Sequence, residues 1–222
     1  MKKFIYNIII FFRDSFFGKY FLGFFIYLNN ISYRWIKVFV SKQGVHPKYA
    51  ILNYDVFFKD NLMNDDIVFD IGCGNGFLAA SIAEKVKEVV AIDISKENIE
   101  KANRKNKKNN IKYIVGDATN YDINKKFDAI ALSNVLEHIE NRIEFLKKIR
   151  KFSDKIILRV PMIDRDWLTV YKKNNGYEYR LDKTHFIEYT LESLEKELEE
   201  SGWKLISYDI KFGELWGIIN KI

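Results

Sequence analysis

From residue 51 onward, short apolar runs alternate with longer segments in which apolar residues recur every three or four positions. The first pattern predicts buried strands, and the second predicts helices that pack against a sheet. Five of the short runs are Ile67–Ile71, Glu88–Asp93, Lys112–Val115, Phe127–Leu132 and Lys155–Val160. Strands that alternate with helices predict a parallel sheet with helices on both faces.

Capping residues predict where several helices begin and end. A helix is expected over Gly76–Lys87, and Ser95 is suited to cap the next one, which ends near Lys108. Thr190 is suited to cap a later helix that Gly202 terminates. After the fourth strand, apolar residues also recur at helical spacing, namely Ile139, Ile143, Leu146 and Ile149.

The last two predicted strands, Trp203–Ile210 and Glu214–Asn220, are separated by only a short link. A short link joins antiparallel neighbours, whereas a parallel crossover needs about a dozen residues or more. The pattern therefore predicts an α/β fold, a doubly wound and mostly parallel seven-stranded sheet with one antiparallel strand.

The first fifty residues have a different composition. We predict an N-terminal helical extension over residues 1–50 and a main domain over residues 51–222. The extension is rich in aromatic residues and carries eight basic residues and one acidic residue, a net charge of +7; since the whole chain carries +6, the main domain carries −1. The apolar runs of the extension, Ile8–Phe12 and Tyr20–Leu28, are each shorter than the about 20 residues that are needed to span a bilayer. Mixed aromatic and basic residues suit a membrane–water interface, but the same aromatics could pack on the main domain as a lid. Both interpretations stay open.

Charge and cysteine content narrow the location and the partners. The single cysteine, Cys73, excludes an intrachain disulfide and suits a reducing compartment. We therefore expect a cytoplasmic protein, with residues 1–40 available for peripheral contact with the inner face of the membrane. A main domain that is nearly neutral does not favour long nucleic acid as a partner.

A glycine-rich loop carries the strongest chemical signal. The segment Val68–Gly76 reads VFDIGCGNG, a strand that ends in an acid and feeds a tight turn before a helix. Such a turn lets the backbone approach a ligand and leaves the first N–H groups of the helix free to face it. A dinucleotide-binding loop has the spacing G-x-G-x-x-G, and here Phe77 occupies the position of the third glycine. The segment resembles motif I of the class I S-adenosylmethionine (SAM)-dependent methyltransferases, D-x-G-x-G-x-G.

This resemblance covers about residues 51–222 and implies SAM as the cofactor. Asp93 ends the second strand about twenty residues after the loop, where an acid can accept hydrogen bonds from both ribose hydroxyls. The resemblance implies that Ile94 packs on the adenine, that Asp117 accepts from its amino group and that the backbone of Ala118 faces the ring. The full set of expected cofactor-binding residues is Asp70, Gly72, Gly74, Gly76, Asp93, Ile94, Asp117, Ala118 and Asn134.

The segment after the fourth strand indicates the type of acceptor. Residues 127–139, FDAIALSNVLEHI, resemble motif IV of small-molecule methyltransferases. Members that methylate amino groups of nucleic acids usually carry N-P-P-Y or D-P-P-Y here, and this chain does not. We therefore expect no nucleic-acid acceptor.

Histidines are the candidate catalytic bases, since an imidazole with a pKa near neutral can take a proton from an oxygen or nitrogen acceptor. His138 lies four residues after Asn134, and His185 lies in a segment similar to the D-x-T-H-x-x-x-[FY]-[ST] pattern of many small-molecule methyltransferases. A buried structural role is the alternative for both. His46 is expected near the other two histidines, at the edge of the sheet where the strands have their carboxyl ends. The long loop Met162–Glu188 is expected to shape the acceptor pocket. We assign no metal ligands from the sequence.

The expected function is transfer of a methyl group from SAM to an oxygen or nitrogen of a small-molecule or lipid-linked acceptor. Two alternatives remain at this point. One is a nicotinamide-type oxidoreductase on a related sheet, which Phe77 disfavours. The other is a non-catalytic SAM-binding protein that is tethered to a membrane. The sequence does not identify the acceptor or the oligomeric state.

Overall fold

The computed structural model describes residues 2–13, 15–40 and 51–222. The chain divides into two units. One unit comprises residues 1–52 together with Lys172–Glu178, and the other comprises Asn53–Tyr171 and Tyr179–Ile222. Each unit is described by itself below.

The second unit is built on a seven-stranded sheet with the strand order β3-β2-β1-β4-β5-β7-β6. Pairs among the first five strands of this order are parallel, whereas β7 is antiparallel to both β5 and β6. The predicted sheet is therefore confirmed. The strands are β1 (Ile67–Ile71), β2 (Glu88–Asp93), β3 (Ile111–Val115), β4 (Ala129–Ser133), β5 (Lys155–Pro161), β6 (Trp203–Lys211) and β7 (Glu214–Lys221).

Helices flank this sheet, and two of the predicted caps are present. Ser95 Oγ accepts a hydrogen bond from Asn98 N at 3.2 Å, and Thr190 forms a capping box with Ser193. These helices are α3 (Tyr54–Asp60), α4 (Phe77–Ile82), α5 (Lys96–Lys105), α6 (Arg142–Ile149), α7 (Trp167–Asn174), which continues into the first unit, and α8 (Leu191–Glu200). Short 3₁₀ turns at Leu136–His138 and Ile163–Arg165 complete the order.

Two predicted helix boundaries were wrong. The helix expected over Gly76–Lys87 is only α4, because the main chain turns toward β2 after Ile82 and Lys87 N donates to Asp66 O at 3.0 Å instead of continuing the helix. Helix α5 ends at Lys105, before the expected Lys108, because Asn106 has non-helical dihedral angles. The segment expected to be a long loop, Met162–Glu188, contains α7 and a 3₁₀ turn.

The register of the parallel strands aligns their carboxyl ends. Ile71 at the end of β1 lies beside Ile92 of β2 and Leu132 of β4. These three side chains are fully buried, and burial of each contributes about 1.5–3 kcal/mol to stability. Because β1 and β4 run in the same direction from a shared starting edge, the loops that follow the strands open at one edge of the sheet. A crevice is expected where the order of strands reverses, between β1 and β4.

The first unit contains α1 (Lys2–Arg13) and α2 (Gly18–Val40). Polar contacts hold the segment Lys172–Glu178 on α2, since Lys172 Nζ donates to Asn29 Oδ1 at 2.9 Å and to Asn30 Oδ1 at 2.8 Å. Many aromatic side chains of the two helices and of the turn between them are exposed, including Phe11, Phe16, Phe17, Tyr20, Phe24, Phe25, Tyr33, Trp35 and Phe39. Among the described residues, no helix combines the length and the apolar character needed to cross a bilayer.

Candidate functional site

A cavity of about 990 Å³ opens at the carboxyl ends of β1 to β4. This volume is at the upper end of the range for small-molecule sites, about 300–1,000 Å³. The predicted site residues that line the cavity are Gly72, Asp93, Ile94, Asp117, Ala118, Asn134 and His138. Phe186, which is exposed, lines it as well and was not predicted.

The glycine loop adopts a backbone that side chains disfavour. Gly72, Gly74 and Gly76 have φ values of +69°, +54° and +80°. Gly72 N and Cys73 N both donate to Ile92 O, at 2.8 Å and 3.0 Å, so the loop is anchored to β2. A Cβ at Gly72 would come within 2.6 Å of Val135 Cγ2, whereas one at Gly74 would meet no atom within 4 Å. Gly74 therefore faces open space.

Asp93 connects the end of β2 to the glycine loop. Its Oδ2 accepts from Gly74 N at 2.8 Å, and its Oδ1 accepts from Ser95 N at 2.8 Å and from Asn98 Nδ2 at 3.2 Å. A carboxylate has about four acceptor positions. Three of them are engaged here, so the side chain holds the loop in shape as well as facing the cavity.

Asp117 is held at the cavity wall by its own turn. Its Oδ1 accepts from Thr119 N at 2.9 Å and Thr119 Oγ1 at 2.7 Å, and its Oδ2 accepts from Asn120 Nδ2 at 3.1 Å. The hydrogen bond from the Thr119 hydroxyl lowers the pKa of Asp117 most strongly, so the carboxyl is charged at neutral pH. Beside it, the side chain of Ile94 is 72 % exposed, which gives the wall a large apolar surface.

Asp70, which lies in β1, and Cys73, which lies within the glycine loop, are both buried. Burial, with a smaller contribution from Asp93, raises the pKa of Asp70 to about 8. Its Oδ2 has no hydrogen-bond partner among the described residues. Burial also raises the pKa of the Cys73 thiol, again with contributions from Asp70 and Asp93. Because the nucleophilic form of cysteine is the thiolate, Cys73 is a small buried side chain rather than a nucleophile.

Asn134 connects the cavity to β5 through Arg159. Its backbone is left-handed, with φ at +55°, and its N donates to Arg159 O at 2.8 Å. In the orientation that satisfies both groups, the side-chain amide oxygen accepts from Arg159 Nη2 at 3.1 Å. The 3₁₀ turn Leu136–His138 follows Asn134 closely and carries His138.

The structure brings the two candidate catalytic histidines together. Their ring centroids lie 4.6 Å apart in an edge-to-face arrangement. His138 Nδ1 lies 2.9 Å from Thr184 Oγ1, which donates to Asp182 Oδ1 at 2.8 Å. Burial of the ring is the main cause that lowers the pKa of His138, and the neighbouring His185 lowers this pKa further. His46, the third histidine expected at this mouth, lies outside the described residues.

His185 is oriented by acidic and basic residues that the sequence analysis missed. Its Nδ1 lies 3.2 Å from Glu188 Oε1, and Arg165 Nη1 contacts the other oxygen of this carboxylate. Burial alone would raise the pKa of Glu188, but the hydrogen bonds from His185 and Arg165 outweigh it and lower that pKa. The interval of three residues between His185 and Glu188 was visible in the sequence, whereas the contact with Arg165 depends on the tertiary fold.

Glu137 is the second residue that the sequence analysis missed. It is fully buried, and neither carboxyl oxygen has a hydrogen-bond partner among the described residues. Burial raises its pKa to about 8. One oxygen of Glu137 and one nitrogen from each of His138 and His185 lie within 4.8 Å of one another. The sequence places Glu137 next to the candidate base His138, which could have drawn attention to it. Nothing in the sequence indicated that its side chain is buried.

Comparisons with known proteins agree with this architecture. Residues 69–153 match the family model described as a methyltransferase domain. An uncharacterised protein of Methanocaldococcus jannaschii is 32 % identical over 179 residues, which cover 66 % of this chain and 68 % of that protein. The ubiquinone biosynthesis O-methyltransferase of Rickettsia conorii is 34 % identical over 95 residues, which cover 40 % of this chain and 33 % of that enzyme. The chain thus matches about a third of the length of that relative, and 45 % of the corresponding enzyme of Rickettsia bellii.

Solved structures share the fold at low sequence identity. The DhpI complex with S-adenosylhomocysteine (SAH) has a TM-score of 0.63 at 16 % identity, and the alignment covers 86 % of this chain and 94 % of that one. Magnesium protoporphyrin IX methyltransferase from Synechocystis, solved with bound SAH, has a TM-score of 0.61 at 19 % identity, with 79 % and 83 % covered.

Proposed function

This chain belongs to the class I SAM-dependent methyltransferases, and we propose that it transfers the methyl group of SAM to an oxygen or nitrogen of a small-molecule acceptor. Membership of this family decides against the alternative of a nicotinamide cofactor. The observation that carries the proposal is the cavity at the carboxyl ends of β1 to β4, bordered by the glycine loop on one side and by His138 on the other.

The residues around the cavity have the chemistry that SAM requires. Asp70, in β1 just before the glycine loop, has an unpartnered carboxyl oxygen, which suits the positive charges of the cofactor. The charged Asp117 suits the adenine amino group, the exposed Ile94 suits the face of the ring, and Asp93 suits the ribose hydroxyls. Gly74 leaves open space where a ligand can approach the backbone. We therefore propose the nine residues expected from the sequence as the cofactor-binding set.

SAM supplies a methyl group on a sulfonium, which is already an activated leaving group. The protein therefore contributes mainly by positioning the acceptor and excluding water. We propose that His138, which lines the cavity, and His185, which is buried beside it, promote loss of the acceptor's proton, with their Nδ1 atoms held by Thr184 and Glu188 respectively. Asn134 is proposed to border the methionine part of the cofactor, and Phe186 to pack against an apolar part of the acceptor.

Several observations support a small acceptor. The segment after β4 lacks the N-P-P-Y type sequence, and the main domain carries no excess of positive charge. Curated relatives include proteins named as a ubiquinone biosynthesis O-methyltransferase and a probable (S)-tetrahydroprotoberberine N-methyltransferase of Papaver bracteatum, which is 36 % identical over 87 residues, 37 % of this chain and 24 % of that protein. These names support O or N as the methylated atom and ring-bearing molecules as the acceptor class.

A lipid-linked acceptor is the second candidate, and the exposed aromatic side chains of α1, of α2 and of the turn between them favour it. Phe16 is 77 % exposed and Phe39 is 79 % exposed, and the first fifty residues carry a net charge of +7. Aromatic rings favour the headgroup level of a membrane, and basic residues are attracted to anionic lipids. We propose that residues 1–40 make a peripheral contact with an anionic membrane, on its cytoplasmic face.

The experiment that tests the function uses SAM with a labelled methyl group and the full-length protein. We expect the label to enter the small-molecule or lipid fraction of a cell extract, with production of SAH, and not the nucleic-acid fraction. Calorimetry should detect binding of SAM and SAH and no binding of NAD⁺. Label in nucleic acid would contradict the acceptor class, and SAM binding without any transfer would support a non-catalytic SAM-binding protein.

A further inference from the structure

A buried arginine lies behind the wall of the cavity. Arg159 in β5 is only 5 % exposed, and the register of the sheet places it beside Ser133 at the end of β4. The residue that follows Ser133 is Asn134, which lines the cavity. A buried charge is costly unless it is paired and hydrogen-bonded, so the neighbours that hold this guanidinium indicate its role.

Arg159 holds both the main chain and the side chain of Asn134. Its carbonyl oxygen accepts from Asn134 N at 2.8 Å. In the amide orientation that satisfies both residues, Arg159 Nη2 donates to Asn134 Oδ1 at 3.1 Å, and Asn134 Nδ2 donates to Arg159 O at 3.3 Å. Asn134 has a left-handed backbone, with φ at +55°. Residues other than glycine rarely adopt this conformation, and it persists only where surrounding contacts enforce it. Arg159 supplies three such contacts.

An aromatic ring and a carboxylate fix the guanidinium of Arg159. Its central carbon lies 3.8 Å from the centroid of the Tyr54 ring, and its Nε lies 3.6 Å from Glu214 Oε2. The side chains of Arg159 and Glu214 are both almost fully buried. An arginine can stack its plane on a ring while its fork of N–H groups donates sideways, whereas a lysine cannot do both. These contacts therefore set the direction in which Nη2 points toward Asn134.

The conformation of Asn134 determines how the turn after β4 meets the glycine loop. Val135 follows Asn134, and a Cβ at Gly72 would come within 2.6 Å of Val135 Cγ2, so the turn and the loop are in close contact. His138 N donates to Val135 O at 3.0 Å, which ties the candidate base to the same turn. Gly72, Asn134, Val135 and His138 all line the cavity. A change in the backbone of Asn134 would therefore alter the spacing between the loop and His138.

We propose that Arg159 is a positioning residue for the cofactor and acts through Asn134. It is not among the residues that line the cavity, but its hydrogen bonds keep Asn134 left-handed and so set the spacing between the glycine loop and the turn. This role rests on the proposed function, because the methionine part of SAM is proposed to bind beside Asn134. An arginine that only stabilised the fold could instead be replaced by another buried cation without loss of SAM affinity.

The first test replaces the guanidinium and keeps its charge. Arg159→Lys retains a cation near Glu214 but loses the fork, so we expect the affinity of the full-length protein for SAM to fall by about 10-fold, the effect of losing one hydrogen bond to a charged group. Calorimetry measures this affinity, and urea unfolding measures stability. Equal SAM affinity in Arg159→Lys and in the unaltered protein would overturn the proposal.

Arg142→Lys is the matched control. Arg142 is partly buried, pairs with Glu197 at 2.8 Å and does not line the cavity. This variant should lose stability in urea and bind SAM as tightly as the unaltered protein. A loss of SAM affinity as large as that of Arg159→Lys would show that removing any buried guanidinium has this effect, and it would refute a specific role for Arg159.

A second test uses Asn134 and does not require Arg159→Lys to fold. Asn134→Gly and Asn134→Ala both remove the amide, but only glycine adopts a positive φ without penalty. We expect Asn134→Gly to bind SAM at least about 3-fold more tightly than Asn134→Ala, because the left-handed conformation is retained. Adding Arg159→Lys to Asn134→Gly should then cost less affinity than it does alone, since two residues that act through one contact are not additive. Equal affinities of the two Asn134 variants, or additive losses, would contradict the proposal.

The positioning role and the proposed function fail in different ways. If the unaltered protein does not bind SAM, the proposed function is refuted and the role of Arg159 with it. If the unaltered protein binds SAM and transfers its methyl group while Arg159→Lys binds SAM equally well, only the positioning role is refuted.

Discussion

Asp93 combines a proposed role in binding the cofactor with an observed role in holding the glycine loop. It was predicted to bind the ribose, and the structure shows that it also accepts hydrogen bonds from Gly74, Ser95 and Asn98. We predict that Asp93→Ala weakens SAM binding by about 2–3 kcal/mol, the scale of lost hydrogen bonds to a charged group. Calorimetry with SAM measures this loss.

A control variant separates the two roles of Asp93. Asn98→Ala removes one supporting hydrogen bond at 3.2 Å and keeps the carboxylate, so it should cost less SAM affinity than Asp93→Ala. Unchanged SAM affinity in a folded Asp93→Ala protein would refute the assignment to the ribose.

Asp70 makes the stability of the free protein depend on pH. Burial raises its pKa to about 8, from a value of about 3.9 in the unfolded chain. The folded state therefore binds more protons than the unfolded state between these values, and stability falls as the pH rises through this window. The titratable groups that interact with it are Asp93, Cys73 and Tyr113, and burial raises the pKa of both Cys73 and Tyr113, which keeps these two side chains neutral in this pH range.

Asp70→Asn removes this titration while keeping the shape of the side chain. We predict that the variant loses less stability than the unaltered protein between pH 5 and about pH 8.5, measured by urea unfolding without ligand. Parallel pH profiles for the two proteins would show that Asp70 is ionised in the folded state throughout. SAM should reduce the difference, because its positive charges favour the ionised carboxyl.

At the scale of elements, the loop between β1 and α4 offers two glycines with similar backbones and different surroundings. Gly72→Ala combines a left-handed φ with a Cβ only 2.6 Å from Val135 Cγ2, so we expect a loss of stability of about 2–4 kcal/mol. Gly74→Ala has a similar φ of +54° but meets open space, so about 1–2 kcal/mol is expected.

The two glycine variants should also differ in cofactor binding. A methyl group at Gly74 would occupy space that the proposed ligand needs, so the affinity for SAM should fall more than the stability does. Urea unfolding and calorimetry on both variants measure the contrast. Equal losses of stability, together with normal SAM affinity for Gly74→Ala, would contradict this account of the loop.

At the scale of the whole molecule, the charge and the exposed aromatics of residues 1–40 predict reversible binding to anionic vesicles. Each basic residue near such a surface contributes about 1 kcal/mol, and salt should weaken the binding. In co-sedimentation, the double variant Phe16→Ser and Phe39→Ser should bind less than the unaltered protein. Phe212→Ser is the matched control, since Phe212 is 73 % exposed but belongs to the other unit. Equal losses for both variants would remove the case for a membrane contact.

The sequence by itself determined the sheet, and it supplied the residues that are proposed to bind the cofactor. Alternating apolar runs specify buried parallel strands because the side chains of such strands face helices on both sides. The glycine spacing and Asp93 could be recognised because one loop and one strand end carry them, so their geometry is local. The caps Ser95 and Thr190 were predicted correctly for the same reason, because the geometry of a cap is also local.

Only the tertiary structure decided which residues surround the side of the cavity that is proposed to bind the acceptor. Glu137 could not be recognised as a buried, unpartnered carboxylate, because its burial depends on distant segments such as the one around Phe186, whose N donates to Glu137 O at 2.8 Å. Helix α4 ends early for a similar reason, because Lys87 N donates a hydrogen bond to Asp66 O, which is distant in the sequence. His138 and His185 lie 47 residues apart in the sequence, and their rings are in edge-to-face contact. Their pairing depends on loop packing across the sheet edge, which no periodicity in the sequence encodes.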